Sequence, residues 1–435
     1  MNGLFSKAFV GYLGARIAIG IANTMLTVAL GWHLYEITGD PWSLALVGLM
    51  QIIPVYVFFF VSGYVIDRFP RVLVVRVCAI VETIAVVGIA QLLTRENPEL
   101  LILYSLVFLH GAGRAFHGPA LHAIVPNIVP RKVLDRAIAM SSTSWNAASI
   151  AGPVVAGYLI MLLDRQIDEV IAVASAATLI GYLFIPTIRI PQEAGDRLKT
   201  LLAGIQYVRG RPIILGGLTI DLLMVGFGSV MVLLPVFAAD ILRVGPEELG
   251  LMRGMPALGS VLMGLFLSTR RHEFTSAGPK LWFSLIVFAV SILVFSLSEV
   301  LILSLVALFF YGASDMVSVN IRMGMVQAAT PEQLRGRVAA VNMLFIQTSN
   351  EGGDFRGGAL AGLLGPVYTV LVGGVLGLGF LVWSRKKFPE LYTLNKISDL
   401  SPQKRDGWYL ISVCLAYHGS GQSLETWPTV TPGYL

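Results

Sequence analysis

Long apolar runs, each of roughly twenty residues or more, alternate along this chain with short links rich in glycine, proline and charge. Within the runs, polar and apolar positions do not alternate one by one. They therefore read as membrane-spanning helices, not as strands of a barrel. The first set is Phe9–Tyr35, Ser43–Val65, Val72–Leu93, Leu100–Ile124, Ala137–Leu163 and Val170–Pro186. The second is Pro212–Phe237, Glu248–Leu267, Lys280–Leu297, Val300–Val326, Val338–Leu364 and Pro366–Trp383. The links include a turn, Ile37-Thr38-Gly39-Asp40-Pro41, and a charged connection from Gly63 to Arg71.

Between the two sets the pattern changes. Leu198, Leu201, Leu202, Ile205 and Val208 recur at helical spacing among Arg197, Lys199, Arg209 and Arg211, which predicts an amphipathic surface helix joining two bundles. Beyond Trp383 the chain is polar, apart from Tyr409–Ala416, which is too short to span. The expected organisation is an all-α integral membrane protein. It comprises a six-helix half (1–186), a linker (187–211), a second six-helix half (212–384) and a disordered tail (385–435).

Composition sharpens this picture. With 55% hydrophobic and 13% charged residues, the chain is no ordinary soluble protein. The net charge of +5 does not form a nucleic-acid footprint, because Lys and Arg cluster in every second link. Arg68, Arg71, Arg136, Arg335 and Arg337 fall on one side, while Arg95, Arg165 and Arg243 fall on the other. By the positive-inside rule both termini are cytoplasmic, and the first span, behind Lys7, reads as uncleaved. Cys78 and Cys414 provide no disulfide or metal framework. His110, His117 and His122 lack acidic or cysteine neighbours at ligand spacing, so they are read as cavity-lining or packing residues. No phosphate-binding loop occurs, and neither an enzyme nor a cofactor is expected.

The halves repeat. Gly264 lies 264 − 63 = 201 residues after Gly63, and the same offset carries Pro130 to Pro331, Arg136 to Arg337, Gly152 to Gly353 and Gly157 to Gly358.

Four motifs carry a family likeness. The link Gly63-Tyr64-Val65-Ile66-Asp67-Arg68-Phe69-Pro70-Arg71 resembles the loop between spans two and three of the major facilitator superfamily. Arg114-Ala115-Phe116-His117-Gly118-Pro119-Ala120 is similar to the family's R-x-x-Q-G-x-G pattern in span four. Gly152-Pro153 and Gly157 in span five are similar to a signature associated with antiporters and exporters. Ala329-Thr330-Pro331-Glu332, Gly336-Arg337-Val338 and Leu198–Gly204 resemble the subgroup of the enterobactin exporter and the macrolide efflux proteins. The likeness extends to about Pro389. It implies a major facilitator fold of twelve helices in two pseudo-symmetric halves, with a substrate route between them. It further implies that Gly63, Asp67, Arg68 and Arg71 form a gating latch. Small residues around Pro153 suit a helix that rocks, although they are equally the small residues of any helix packing.

Intramembrane charges are the remaining candidates, because a charge is placed in a bilayer only against protein or water. Glu351, Asp354 and Arg356 form a cluster in span eleven, with Arg253 in span eight as the expected acid partner. Arg16 and Asp221 are expected to close across the cavity. The repeat offset carries Arg114 onto Asp315 (114 + 201 = 315), which predicts opposite charges at equal depth. On this reading Asp315 carries a proton whose hold Arg114 sets; the alternative is a static pair.

These features support a secondary active exporter, moving a siderophore-like or drug-like amphipathic small molecule against proton entry. It is expected to be monomeric, in contact with lipid, in a bacterial inner membrane. An importer or uniporter of the same fold and a non-transporting membrane sensor or assembly protein stay open. Its tail would be the working part of such a sensor.

Overall fold

The structure, a computed structural model, describes residues 6–400 except 96–97, 131–132, 164–165, 184, 186–203, 270–275 and 332–333. The side chains of Asp67, Arg71 and His122 also lie outside the described residues.

Twelve long helices are present among the described residues. The first six are α1 (Lys7–Thr38), α2 (Pro41–Arg68), α3 (Arg71–Leu93), α4 (Leu100–Ile128), α5 (Leu134–Leu162) and α6 (Ile167–Leu183). After a short helical stretch at 204–209 come α7 (Pro212–Gly228), α8 (Pro246–Thr269), α9 (Ala277–Ser296), α10 (Leu301–Ala329), α11 (Arg335–Leu364) and α12 (Pro366–Lys387). Ten helices are long and apolar enough to cross a membrane. The two others are α6, with 17 described residues, and the charged α11. Much of the remaining linker, including Leu198, Leu201 and Leu202, and the tail from residue 401 lie outside the described residues.

The turns form where local chemistry demands them. Gly39 ends α1 in the left-handed region (φ 60°), and Asp40 then caps α2 by accepting from Trp42 N at 2.9 Å, with Pro41 in the first helical turn.

Packing repeats with a shift of six helices. In the first set α1 packs on α5 and α6, α2 on α4, and α3 on α4 and α6. In the second α7 packs on α11 and α12, α8 on α10, and α9 on α10 and α12. The principal contacts between the sets, α2 with α11 and α5 with α8, obey the same shift.

The sets are joined at one end. A single apolar cluster draws on both sets there, at Leu34, Leu103, Leu233 and Phe295, and runs on through the second set as far as Leu391 and Leu394. Toward the other end the first set has a separate cluster around Tyr12, Val75 and Ile124, and another lies around Tyr207, Leu218 and Val338. The molecule is therefore a clasp, closed where α1 meets α2.

Where the sequence suggests disorder from residue 385, the structure instead folds 388–400 back onto the second set. The helix Pro389–Thr393 (α13) buries Leu391 and Tyr392, and the strap gives α9 acceptors for its first N–H groups: Ala277 N donates to Asn395 O at 3.0 Å and Gly278 N to Leu394 O at 2.9 Å. Apolar side chains at the strap positions supply the burial that a disordered segment lacks.

Candidate functional site

Between the halves lies a cavity of about 210 Å³. Its apolar wall includes Leu26, Leu30, Val47, Ile89, Val107 and Val232, and its polar groups are Thr27, Gln51, His110, Arg114, Arg253, Glu351 and Asp354. Charged groups in a bilayer-spanning protein collect where protein or water can meet them, and this cavity gathers four of the expected ones.

Arg114 enters from α4. Its Nη1 donates to Gln51 Oε1 of α2 at 2.6 Å, and its Nη2 lies 3.9 Å from Glu351 Oε1 of α11. The expected pair with Asp315 is not formed: the cavity's own acid on the opposite half takes that place. Asp315 sits 3.9 Å from Arg322 Nη2 on its own helix α10, seven residues on and thus on the same face.

Arg322 is shared. Its Nη1 pairs with Asp221 Oδ1 of α7 at 2.5 Å, and its Nε donates to Ser318 Oγ at 3.0 Å. Asp221 is therefore not the partner of Arg16. Arg16 remains within its own half, donating from Nε to Ser141 O at 3.0 Å and lying over the Trp145 ring at 5.6 Å. Both are buried, and each finds a partner within its own bundle.

The α11 cluster is also arranged differently from the expectation. Helix α7 breaks after Gly228, continuing through a tight turn at Met231–Leu233 and a wide one at Phe237–Ile241. A broken helix leaves carbonyls that lipid cannot satisfy. Arg356 donates to Gly226 O at 2.8 Å and Phe227 O at 2.6 Å, and Arg253 donates to Met231 O at 3.2 Å. Both arginines thus serve the break, while Asp354 accepts from Ser229 Oγ at 2.5 Å in the same gap. The expected Arg253–Asp354 ion pair is replaced by these backbone bonds.

The span-five motif divides between two neighbours. Gly152 faces α1, where a Cβ would lie 1.9 Å from Thr24 Oγ1. Gly157 faces α8 of the other half, where a Cβ would lie 2.5 Å from Pro246 O, and Gly250 answers it with a Cβ position 2.5 Å from Pro153 O. On the other cross-contact, Gly358 of α11 meets Ala45 of α2. At the same end the Tyr35 hydroxyl donates to the Asp240 carboxylate across the halves.

Of the residues expected to form a latch with Gly63, Arg68 ends α2 and is exposed, while the side chains of Asp67 and Arg71 lie outside the described residues. His117 does not line the cavity. It is buried against Glu82 of α3 and Tyr182 of α6. Sequence reasoning missed Glu82, Arg322 and Gln51. Glu82 and Arg322 are charges inside apolar runs, the one acid of Val72–Leu93 and the one base of Val300–Val326, which is the signal that could have found them; Gln51 carries none. Among the described residues no group of three or more His, Cys, Asp and Glu side chains is arranged to hold a metal ion.

Comparison with known proteins adds three findings. The profile of the transmembrane secretion effector family matches residues 4–406. The enterobactin exporter EntS of Shigella boydii serotype 18 is 27% identical over 399 residues, covering 91% of this chain and 94% of that protein. EntS of Escherichia coli O1:K1 is 26% identical with the same coverage, 91% and 94%. Among solved structures, a D-xylose–proton symporter superposes with a TM-score of 0.69 at 13% identity, covering 90% of this chain and 100% of that one. A bacterial homologue of the iron transporter ferroportin in the inward-facing state gives 0.66 at 16%, covering 89% and 98%. These structural likenesses show the fold.

Proposed function

The chain belongs to the transmembrane secretion effector family of the major facilitator superfamily, and on that premise we propose that it exports an amphipathic small molecule by proton-coupled alternating access. The observation that carries this reading is the meeting of Arg114 and Glu351, one from each half, in a cavity with an otherwise largely apolar wall. A solute entering there competes for charged groups that hold the halves together, so binding and rocking are physically linked. Relatives named enterobactin exporters make a siderophore the first candidate, with drug-like amphiphiles of similar character next.

Twelve spans, two halves of six (1–186 and 212–384), cytoplasmic termini and a bacterial inner membrane complete the reading, supported by the side on which Lys and Arg cluster. The closed end of the clasp then faces outward and the divided end faces the cytoplasm. Asp67, between Gly63 and Arg71, latches the halves when the cytoplasmic end closes. The working unit is a monomer.

For coupling, one guanidinium serves two carboxylates in the second half. Asp221 holds the short contact with Arg322 and Asp315 the long one, which leaves Asp315 as the less compensated acid and the place for a proton. The role first assigned to Arg114 passes to Arg322. The test has two parts. A deletion strain screened for siderophore secretion and drug susceptibility identifies the substrate. Asp315→Asn should then abolish proton-driven accumulation while leaving substrate binding and downhill exchange. Loss of all three activities together in a folded variant would reduce Asp315 to a static charge.

A further inference from the structure

Glu82 stands in the middle of apolar α3 and is 0% exposed. Nothing in the exporter reading uses it, yet three helices are shaped around it. From α4, His117 Nδ1 meets one carboxylate oxygen in a short contact. From α6, the Tyr182 hydroxyl donates to the other at 2.8 Å and lies 3.4 Å from His117 Nδ1. Gly113, one turn before His117, leaves the space: a Cβ there would lie 2.5 Å from Glu82 Cγ.

The other ionisable groups facing this cluster are few. Cys78 lies one turn away on α3, and His110 and Arg114 lie seven and three residues before His117 on α4. His110, Arg114 and His117 follow one another at helical spacings of four and three, and so share a face of α4. Two of the three line the central cavity.

Charge accounting limits what such a pair can do. A carboxylate beside a neutral imidazole carries one negative charge and is costly in a dry site. One further proton brings the pair to neutrality: with His117 Nε2 carrying its own hydrogen, the proton between Glu82 Oε1 and His117 Nδ1 cancels the charge whichever of the two atoms holds it. Tyr182 holds the other oxygen before and after. No covalent bond other than that to the proton is made or broken.

We propose that Glu82, His117 and Tyr182 form a proton-binding site of the N-terminal half, reached from the central cavity through His110. The arrangement also links it to solute. When Arg114 leaves Glu351 for a substrate, or moves as the halves rock, the positive charge felt at His110 changes, and the buried pair takes up or releases its proton accordingly. With Asp315 in the second half, each half then carries one protonation centre. This consequence for transport rests on the proton-coupled reading above; proton binding at Glu82 does not.

The site is tested on the purified full-length protein in lipid nanodiscs, by infrared difference spectra recorded between about pH 5 and about pH 9. The wild type should show a titrating band from the pair, a protonated-carboxyl stretch where Glu82 holds the proton or an imidazolium band where His117 holds it, and that band should be missing from Glu82→Gln. In Tyr182→Phe the same band should titrate with its midpoint moved by about one pH unit or more, because a hydrogen bond to the carboxylate has been removed. A Glu82→Gln protein that elutes as a folded monomer and keeps every titrating carboxyl and imidazole band at its wild-type midpoint overturns the proposal. Should Glu82→Gln fail to fold, unchanged midpoints in both His117→Gln and Tyr182→Phe overturn it equally. A Glu82-dependent band together with transport that ignores the proton gradient supports the site and removes only the coupled reading. Proton-driven transport without such a band removes the site and leaves that reading standing.

Discussion

Replacing Gly157 with alanine should drive the closed end of the clasp apart. The added Cβ would lie 2.5 Å from Pro246 O, 3.0 Å from Glu247 Cα and 3.2 Å from Gly250 Cα. All three are backbone atoms, so no side-chain rotation relieves the overlap. Nor can α5 slide easily, since the backbones are packed as tightly at Gly250, where a Cβ would lie 2.5 Å from Pro153 O. Overpacking of this kind costs about 1–3 kcal/mol. The strain vanishes if α5 and α8 separate, which happens in the state open at that end. The penalty therefore falls on one conformation only, and about 1–3 kcal/mol of differential energy shifts the population by a factor of about 5–150. Spin labels at Trp42 and Leu363, on opposite halves beside the α2–α11 contact, report the change on a Cys78→Ser, Cys414→Ser background. The wild type should show a dominant short distance and Gly157→Ala a grown long component. Gly118→Ala, where a Cβ would meet nothing within 4 Å, is the control and should leave the distribution unchanged. A folded Gly157→Ala protein with the wild-type distribution, or a control that shifts as far, would refute the reasoning.

Other perturbations separate the roles of the buried charges. Arg322→Ala leaves Asp221 buried without its partner and should lower stability by about 3–5 kcal/mol, read as a fall in Tm, whereas Asp221→Asn combined with Arg322→Met should recover most of the loss. Arg356→Ala removes both donors to Gly226 O and Phe227 O and should cost about 1–3 kcal/mol for each stranded carbonyl, so a Tm within a degree of wild type would contradict the cap on the α7 break. Tyr35→Phe deletes one hydrogen bond between the halves and should favour opening by about 0.5–1.5 kcal/mol, visible in the same spin-label pair. Arg114→Gln and Glu351→Gln, made singly and together, should show non-additive losses of transport, because both act on one contact; additive losses would mean that the 3.9 Å approach is incidental.

The fold was largely legible because hydrophobic run length is set by the bilayer and the turns carry their own chemistry, as Gly39-Asp40-Pro41 illustrates. Pairings inside the membrane were not legible to the same extent. The offset of 201 located Arg114 and Asp315 at equivalent positions, but equivalent positions need not face each other, and the shared face of α10 gives Asp315 to Arg322. Arg253 reads as the ion-pair partner of the α11 acids, and Arg356 as a member of their cluster, because sequence displays charges and conceals broken backbone. Once α7 is seen to break after Gly228, its exposed carbonyls outbid the carboxylate. Glu82 escaped notice because a single acid in a run from Val72 to Leu93 barely alters the hydropathy pattern, although an acid at mid-run was the clue. Ordering of the strap at 388–400 depends on α9 and α12 presenting a surface, which no local reading of that segment reveals.

Inside-out membrane vesicles decide the central claim, because in them an exporter faces the medium with its loading side. Energised with an interior-acid proton gradient and offered the siderophore or drug found by the deletion-strain screen, vesicles carrying the wild-type protein should accumulate it. Those carrying Asp315→Asn should not, while still exchanging it downhill. Accumulation only in right-side-out vesicles, or uptake in inside-out vesicles that collapsing the proton gradient leaves unchanged, would contradict proton-coupled export.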